Sequence, residues 1–305
     1  MSSVAGRPLA AEVDSKIVMD ASDNQPGPQL VEWVIEPRRE DLMSRLRDVW
    51  RYRRLMRFFA TKSLEKMFRR TVLGPVWLLI RPLFPIFVNT FIFGGVLGVG
   101  SGGVPYFLFV TTGSAIWELF SAATMWGTRS LDLNRGLMNR IYIPRLILPL
   151  ATMTPAYLNF VIYMVVLGVG LVYYQVTTGV NYFTPNNLGW SLAALVLSGV
   201  LAVGISLWTS VPAMQARDVR FTLGYVFGFW ALLTPVLYPL PAEKFKWLVT
   251  LNPMTPVVNG FKYGVLGIGT ISAREFGVST AITLVVFVSG MWFFGRAEAD
   301  AADKV

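Results

Sequence analysis

Six long apolar stretches, near residues 76–98, 105–127, 146–174, 188–211, 221–240 and 276–295, decide what this chain can fold into. Each can form a helix across a hydrocarbon layer, which takes about 20 residues rising about 1.5 Å apiece. Inside hydrocarbon every backbone amide must be satisfied within the chain, so only helices or a closed barrel cross it. Continuous apolar runs of this length predict helices. The composition agrees, with 54% hydrophobic and only 15% charged residues and a mean hydropathy of +0.52, values outside the range of soluble domains. The expectation is an all-α membrane protein: six transmembrane helices, an N-terminal amphipathic interfacial helix, and re-entrant gate helices before the last span.

The charges are distributed unevenly. Residues 1–37 hold six acids against two basic residues and the turn-rich run Asn24-Gln25-Pro26-Gly27-Pro28. With no apolar core of a signal peptide, they are expected to form a flexible cytosolic leader. Residues 38–70 then carry twelve Arg and Lys against four acids. Leu42, Leu46, Val49, Tyr52, Met56 and Phe59 recur at helical spacing opposite Arg47, Arg51 and Arg54, the pattern of a helix lying at a membrane surface. The apolar stripe and the span that follows favour this reading over a nucleic-acid-binding arm. Arg129, Arg135, Arg140, Arg145, Arg217, Arg220 and Arg296 fall on the same side as this helix, with Lys244, Lys246, Lys262 and Arg274 opposite. The positive-inside rule then puts both termini, including the short tail 297–305, in the cytosol of a multi-pass plasma-membrane protein.

Residues 241–275 fit no simple span, because Pro241, Pro253, Pro256 and four glycines interrupt them. Short helices that dip into the outer leaflet and return are expected, which is tolerated only where protein or a wet cavity satisfies the backbone. Trp247, Asn252, Pro253 and Pro256 are the candidate residues of this outer gate. An ordinary extracellular loop is the alternative.

The chain has no Cys and no His, which removes thiolate nucleophiles, imidazole bases, disulfides and the usual zinc sites. No catalytic residue and no metal ligand is assigned. Between Thr71 and Gly295 there are five carboxylates, and Glu118 alone lies within a span. It either lines a wet cavity or is a snorkelling or helix-paired carboxylate. No Gly-Lys dipeptide occurs, so the phosphate-cradling loop of ATPases is absent and any ATP must bind another subunit. Arg81 sits inside the first span at a cost of roughly 2.5–3.5 kcal/mol if central, less if it snorkels. With Arg69 and Arg70 it could attract the phosphate of a lipid-linked substrate, or simply anchor the helix. Trp117, Tyr157, Phe160 and Trp230 are candidate channel aromatics whose faces could stack on sugar rings, although such rings also pack helices.

Four stretches, read together over residues 40–295, resemble one family. They are Arg69-Arg70-Thr71-Val72-Leu73-Gly74-Pro75-Val76-Trp77; Asn134-Arg135-Gly136-Leu137-Met138-Asn139-Arg140-Ile141-Tyr142-Ile143-Pro144-Arg145; Arg217-Asp218-Val219-Arg220 with Thr234-Pro235 downstream; and Leu251-Asn252-Pro253-Met254-Thr255-Pro256. Their order and spacing resemble the ABC-2 type permeases, the transmembrane subunits of bacterial ATP-binding-cassette exporters for O-antigen, teichoic acid, galactan and related polysaccharides. The second stretch departs from the family pattern, which has a small residue at Arg135 and lysines at Asn139 and Arg140.

The resemblance implies a homodimer, two ATP-binding-cassette subunits that hold ATP and Mg, and a polyprenyl-phosphate-linked polysaccharide as cargo, with no cofactor on this chain and no nucleic acid. It implies that Arg135, Leu137, Asn139, Arg140 and Tyr142, assisted by Trp50, Arg51 and Arg54, couple to the ATPase subunit. The Leu73-Gly74 turn would admit the lipid-linked end. An ABC-2 exporter of a drug or simple lipid is the alternative; a membrane-embedded glycosyl- or acyltransferase lacks its catalytic groups here.

Overall fold

The computed structural model describes residues 50–68, 76–138, 145–239 and 246–302, all within one compact unit, Arg39–Val305. Among these residues the regular structure is helical, with no strand. The expected leader and the first part of the basic segment, residues 38–49, lie outside the described residues.

The chain begins with α1 (Arg53–Phe68), followed by α2 (Val76–Asn89), which runs into a π-helical turn at Thr90–Val96. Pro82 and Pro85 sit inside α2, where each removes an amide and leaves a carbonyl one turn back without its helical partner. The centre of the bundle is α3 (Tyr106–Thr128), whose two faces are both buried. After the short α4 (Ser130–Met138) and α5 (Ile147–Thr152) come the long α6 (Thr154–Thr178) and α7 (Leu188–Gln215), then α8 (Asp218–Leu232). The chain closes with α9 (Lys246–Leu251), α10 (Met254–Leu266) and α11 (Ala273–Ala302).

Five helical stretches are long and apolar enough to cross a membrane: Val76–Val96, Tyr106–Met138, Ile147–Thr178, Pro185–Gln215 and Ala273–Ala297. The stretch expected to be the fifth of six spans, 221–240, instead ends as α8, only 15 residues long. The cause is local: Pro235 lacks the amide that would continue the ladder, and it restricts Thr234 before it. At about 22 Å, α8 falls short of a hydrocarbon layer of about 30 Å.

Helix association in an apolar solvent draws little from hydrophobicity and depends on close packing and polar contacts. On α7 and α11, Gly204 and Gly290 bring backbone against backbone: a Cβ on Gly290 would lie 2.5 Å from the Gly204 carbonyl oxygen. The helices α3, α6, α7 and α10 share a core built around Leu108, Phe120, Ala194 and Val257. A second cluster, with Phe59 of α1 against Leu148, Leu207 and Phe294, fastens α1 to one end of the bundle. The segment 241–275, expected to be re-entrant, contains the two short helices α9 and α10 where it is described, and α10 is buried along most of its length.

Candidate functional site

Three polar constellations stand out in this apolar scaffold. The first is a half-open cavity of about 290 Å³ bounded by α2, α3 and α6, on which Arg81, Glu118 and Arg129 are exposed. From α3 it receives Glu118, Ala122, Met125, Trp126 and Arg129, a spacing that places all five on one helical face. From α2 it receives Arg81, Pro82 and Pro85, and from α6 Asn159 and Tyr163, one turn apart. No ion pair joins Glu118 to either arginine; among the described residues the only ion pair is Arg220–Asp132. The Asn159 Oδ1 atom is buried and has no hydrogen-bond partner. Glu118 thus lines a cavity, exposed and with no ion-pair partner among the described residues.

The second constellation ties down the carboxyl end of α8. Asn252 Oδ1 accepts hydrogen bonds from Trp230 Nε1 at 2.8 Å and from the Met254 amide at 3.0 Å. Its Nδ2 donates to the Leu233 carbonyl at 3.1 Å and to Thr234 Oγ1 at 3.0 Å. Beside it, the Lys262 Nζ donates to the carbonyls of Pro235 at 2.6 Å and Val236 at 3.1 Å, and lies 3.3 Å from the centroid of Phe109. Tyr106 donates to the Leu237 carbonyl. These carbonyls belong to the turns that follow α8, where no helical ladder supplies a donor, so side chains from α10 and α3, and Asn252 between α9 and α10, satisfy them. Lys262 is 3% exposed and fits only because position 113 is glycine, whose Cβ would meet the lysine Cε at 2.7 Å. Among the described residues no carboxylate pairs with it, and three interactions with oxygen and ring replace its hydration.

The third lies at the opposite end of α8. Arg220 Nη1 meets Asp132 Oδ2 at 2.6 Å, which joins the start of α8 to α4. On the other side of α4, Lys66 Nζ of α1 donates to the Leu133 carbonyl at 3.1 Å. Burial, with neighbouring Lys62 adding to it, lowers the Lys66 pKa below 10.5. The Asn134 side chain donates to the Ser130 carbonyl at 2.9 Å and so stiffens α4 from within.

Against these constellations the expected site residues fall as follows. Arg135 is exposed and Leu137 half-buried on α4, while Trp50, Arg51 and Arg54 are exposed at the start of the described chain. Asn139, Arg140 and Tyr142, and likewise Arg69, Arg70, Leu73 and Gly74, lie outside the described residues; Arg81 is in the cavity. Trp117 is buried, with its ring centroid 6.1 Å from that of Trp230, and Phe160 packs edge-on against Phe261. Tyr157 lines a separate apolar cavity of about 400 Å³ between α6, α7 and α11. Trp247 is exposed on α9, Pro253 precedes α10, and Asn252 and Pro256 are buried.

Sequence reasoning missed the Asp132–Arg220 pair, which no spacing rule brings together. It placed Lys262 with the outer-loop cations. The apolar run Val257, Val258, Phe261, Val265 and Leu266 around that lysine was the available signal of its burial.

Residues 54–266 match the ABC-2 type transporter family. Similar proteins include an O-antigen export system permease protein RfbA of Klebsiella pneumoniae, 25% identical over 248 residues that cover 79% of this chain and 91% of the relative. A second from Klebsiella pneumoniae is 27% identical over 72% of this chain and 84% of its own length. The RfbA of Myxococcus xanthus is 22% identical over 71% and 82%. With more than half of its length matched and its helices long and apolar enough to cross a bilayer several times, the chain belongs to the ABC-2 type transporter family of membrane proteins.

Proposed function

We propose that the chain is the transmembrane subunit of an ATP-driven exporter that carries a polyprenyl-phosphate-linked polysaccharide across the bacterial plasma membrane. The observation that carries this reading is the similarity, over nearly the whole length of the relatives, to permeases named for O-antigen export. The chain supplies no imidazole, thiol or phosphate-cradling loop, so ATP and Mg belong to a partner. Two copies of the chain with two ATPase subunits form the complex, both termini in the cytosol, α1 at the membrane interface, and α8 with the turns after it counted as the sixth span. Arg135, Leu137, Asn139, Arg140 and Tyr142, with Trp50, Arg51 and Arg54, meet the ATPase subunit. Arg69, Arg70, Leu73, Gly74 and Arg81 admit the lipid-linked end. The α9–α10 segment, with Trp247, Asn252, Pro253 and Pro256, is the outer gate, and Trp117, Tyr157, Phe160 and Trp230 are the aromatics associated with the conduit.

ATP shifts the conduit between closed and open forms only through contacts that differ between them, and α4 and α8 are placed to carry that difference. The test is co-expression with the ATPase encoded beside the gene, followed by glycan export from inside-out vesicles. ATP-dependent glycan uptake that vanishes without the ATPase is the expected result. Transport by this chain alone, or transport of hydrophobic drugs with no glycan moved, would overturn it.

A further inference from the structure

The cavity between α2, α3 and α6 has a charge pattern unsuited to a plain anion site. Two arginines and one carboxylate face the same 290 Å³ space, and none of the three is paired with another. A site built for phosphate alone would gain nothing from Glu118, whose charge opposes the ligand. A site for a cation would gain nothing from Arg81 and Arg129. What uses both is a ligand that is anionic at one end and rich in hydroxyl donors at the other.

We infer that this cavity binds a phosphosugar: Arg81 and Arg129 hold the phosphate, and Glu118 and Asn159 accept hydrogen bonds from hydroxyls of the attached sugar. The inference rests on the export reading and deepens it, since the ligand is the linkage unit between lipid and glycan. Arg129 caps the end of α3 and Glu118 lies eleven residues earlier, about 16 Å along the helix axis. The slot is therefore longer than a phosphate and runs from the basic end of the bundle toward its middle. The Asn159 Oδ1 atom is buried and has no hydrogen-bond partner within the chain, so it can accept a bond from a ligand hydroxyl. Trp126 supplies an apolar wall on which the C–H face of a sugar can stack. At about 30 Å³ per water the space equals roughly ten waters, enough to seat one phosphorylated hexose. The site therefore meets the first sugar, and its open side leaves the rest of the chain room to extend.

The experiment uses the complex with its ATPase subunits in phosphatidylcholine nanodiscs. Binding is measured for farnesyl diphosphate and for farnesyl diphosphate bearing glucose, galactose or N-acetylglucosamine. At least one sugar-bearing probe should bind ~10-fold more tightly than farnesyl diphosphate, about the effect of one hydrogen bond to a charged group. Glu118→Gln and Asn159→Leu should each erase that increment while farnesyl diphosphate binding stays within about 2-fold, and Arg81→Ala should weaken all probes. Ala122→Trp, which fills the slot without touching a charge, should also erase the increment, and it serves if Asn159→Leu misfolds. Equal binding of all probes to the wild-type complex, or an increment that survives both Glu118→Gln and Ala122→Trp, overturns the site. Displacement of farnesyl diphosphate by phosphatidylglycerol, with no sugar increment, assigns the cavity to a membrane phospholipid and overturns it as well. In each of these cases vesicle export by the wild-type complex still reports separately on the transport reading.

Discussion

Asn252 satisfies four groups with one side chain, and Lys262 caps two carbonyls beside it, so the end of α8 depends on two residues of the gate segment. Their losses differ in kind. Asn252→Leu leaves the Trp230 indole N–H, the Met254 amide, the Leu233 carbonyl and the Thr234 hydroxyl to find other partners. At about 1–3 kcal/mol for each group left unsatisfied, partly recovered by rearrangement, the expected loss is ~3 kcal/mol or more. Lys262→Met strands two carbonyls but relieves the burial of an uncompensated ammonium, so it is expected to cost less, ~1–2 kcal/mol. Unfolding in graded denaturing detergent measures both, and a larger loss for Lys262→Met than for Asn252→Leu would contradict this apportionment.

At the scale of elements, α8 is held at its two ends more than along its length: Asp132 of α4 at the start, Asn252 and Lys262 at the finish, and only Phe227 of the helix itself buried. The Asp132–Arg220 pair is partly exposed, 35% and 19%, so its contribution to stability is small, ~0.5 kcal/mol. Its expected role is mechanical. Asp132→Arg and Arg220→Asp should each reduce ATP-driven export several-fold with little change in thermal midpoint, and the double swap should restore it. Independent, additive losses in the double variant would show that the pair transmits nothing.

The long spans were legible in the sequence because length and apolarity are local properties, and α3, α6, α7 and α11 follow the predicted runs closely. The end of α8 was signalled by Pro235, yet the apolar run to Tyr238 outweighed it. Short helices were expected in 241–275 and are found there, but the depth of α10's burial was hidden, since its apolar side chains gain partners only from the helices packed around them. For the site, the arginine of α2 and the carboxylate of α3 were each visible as intramembrane charges. That they share one cavity with Asn159 is a property of packing, and no periodicity carries it.

For the molecule as a whole, the proposed second copy needs a face to meet. Along α8, Phe221, Tyr225 and Phe229 recur every fourth residue and are 68%, 76% and 72% exposed, forming one aromatic stripe on a helix with few other neighbours. Because the chain contains no cysteine, single cysteines can report proximity without background. Tyr225→Cys and Phe229→Cys should cross-link to dimers in native membranes under mild oxidation, and Val172→Cys on α6 should not. Cross-linking at Val172→Cys with none on α8 would move the two-fold axis to another face.

The brevity of α8 carries a consequence for the lipids beside it. A helix about 8 Å shorter than the surrounding hydrocarbon makes nearby acyl chains compress or tilt. In a bilayer the leaflet beside α8 would thin, and an amphiphile crossing there would meet a shallower barrier.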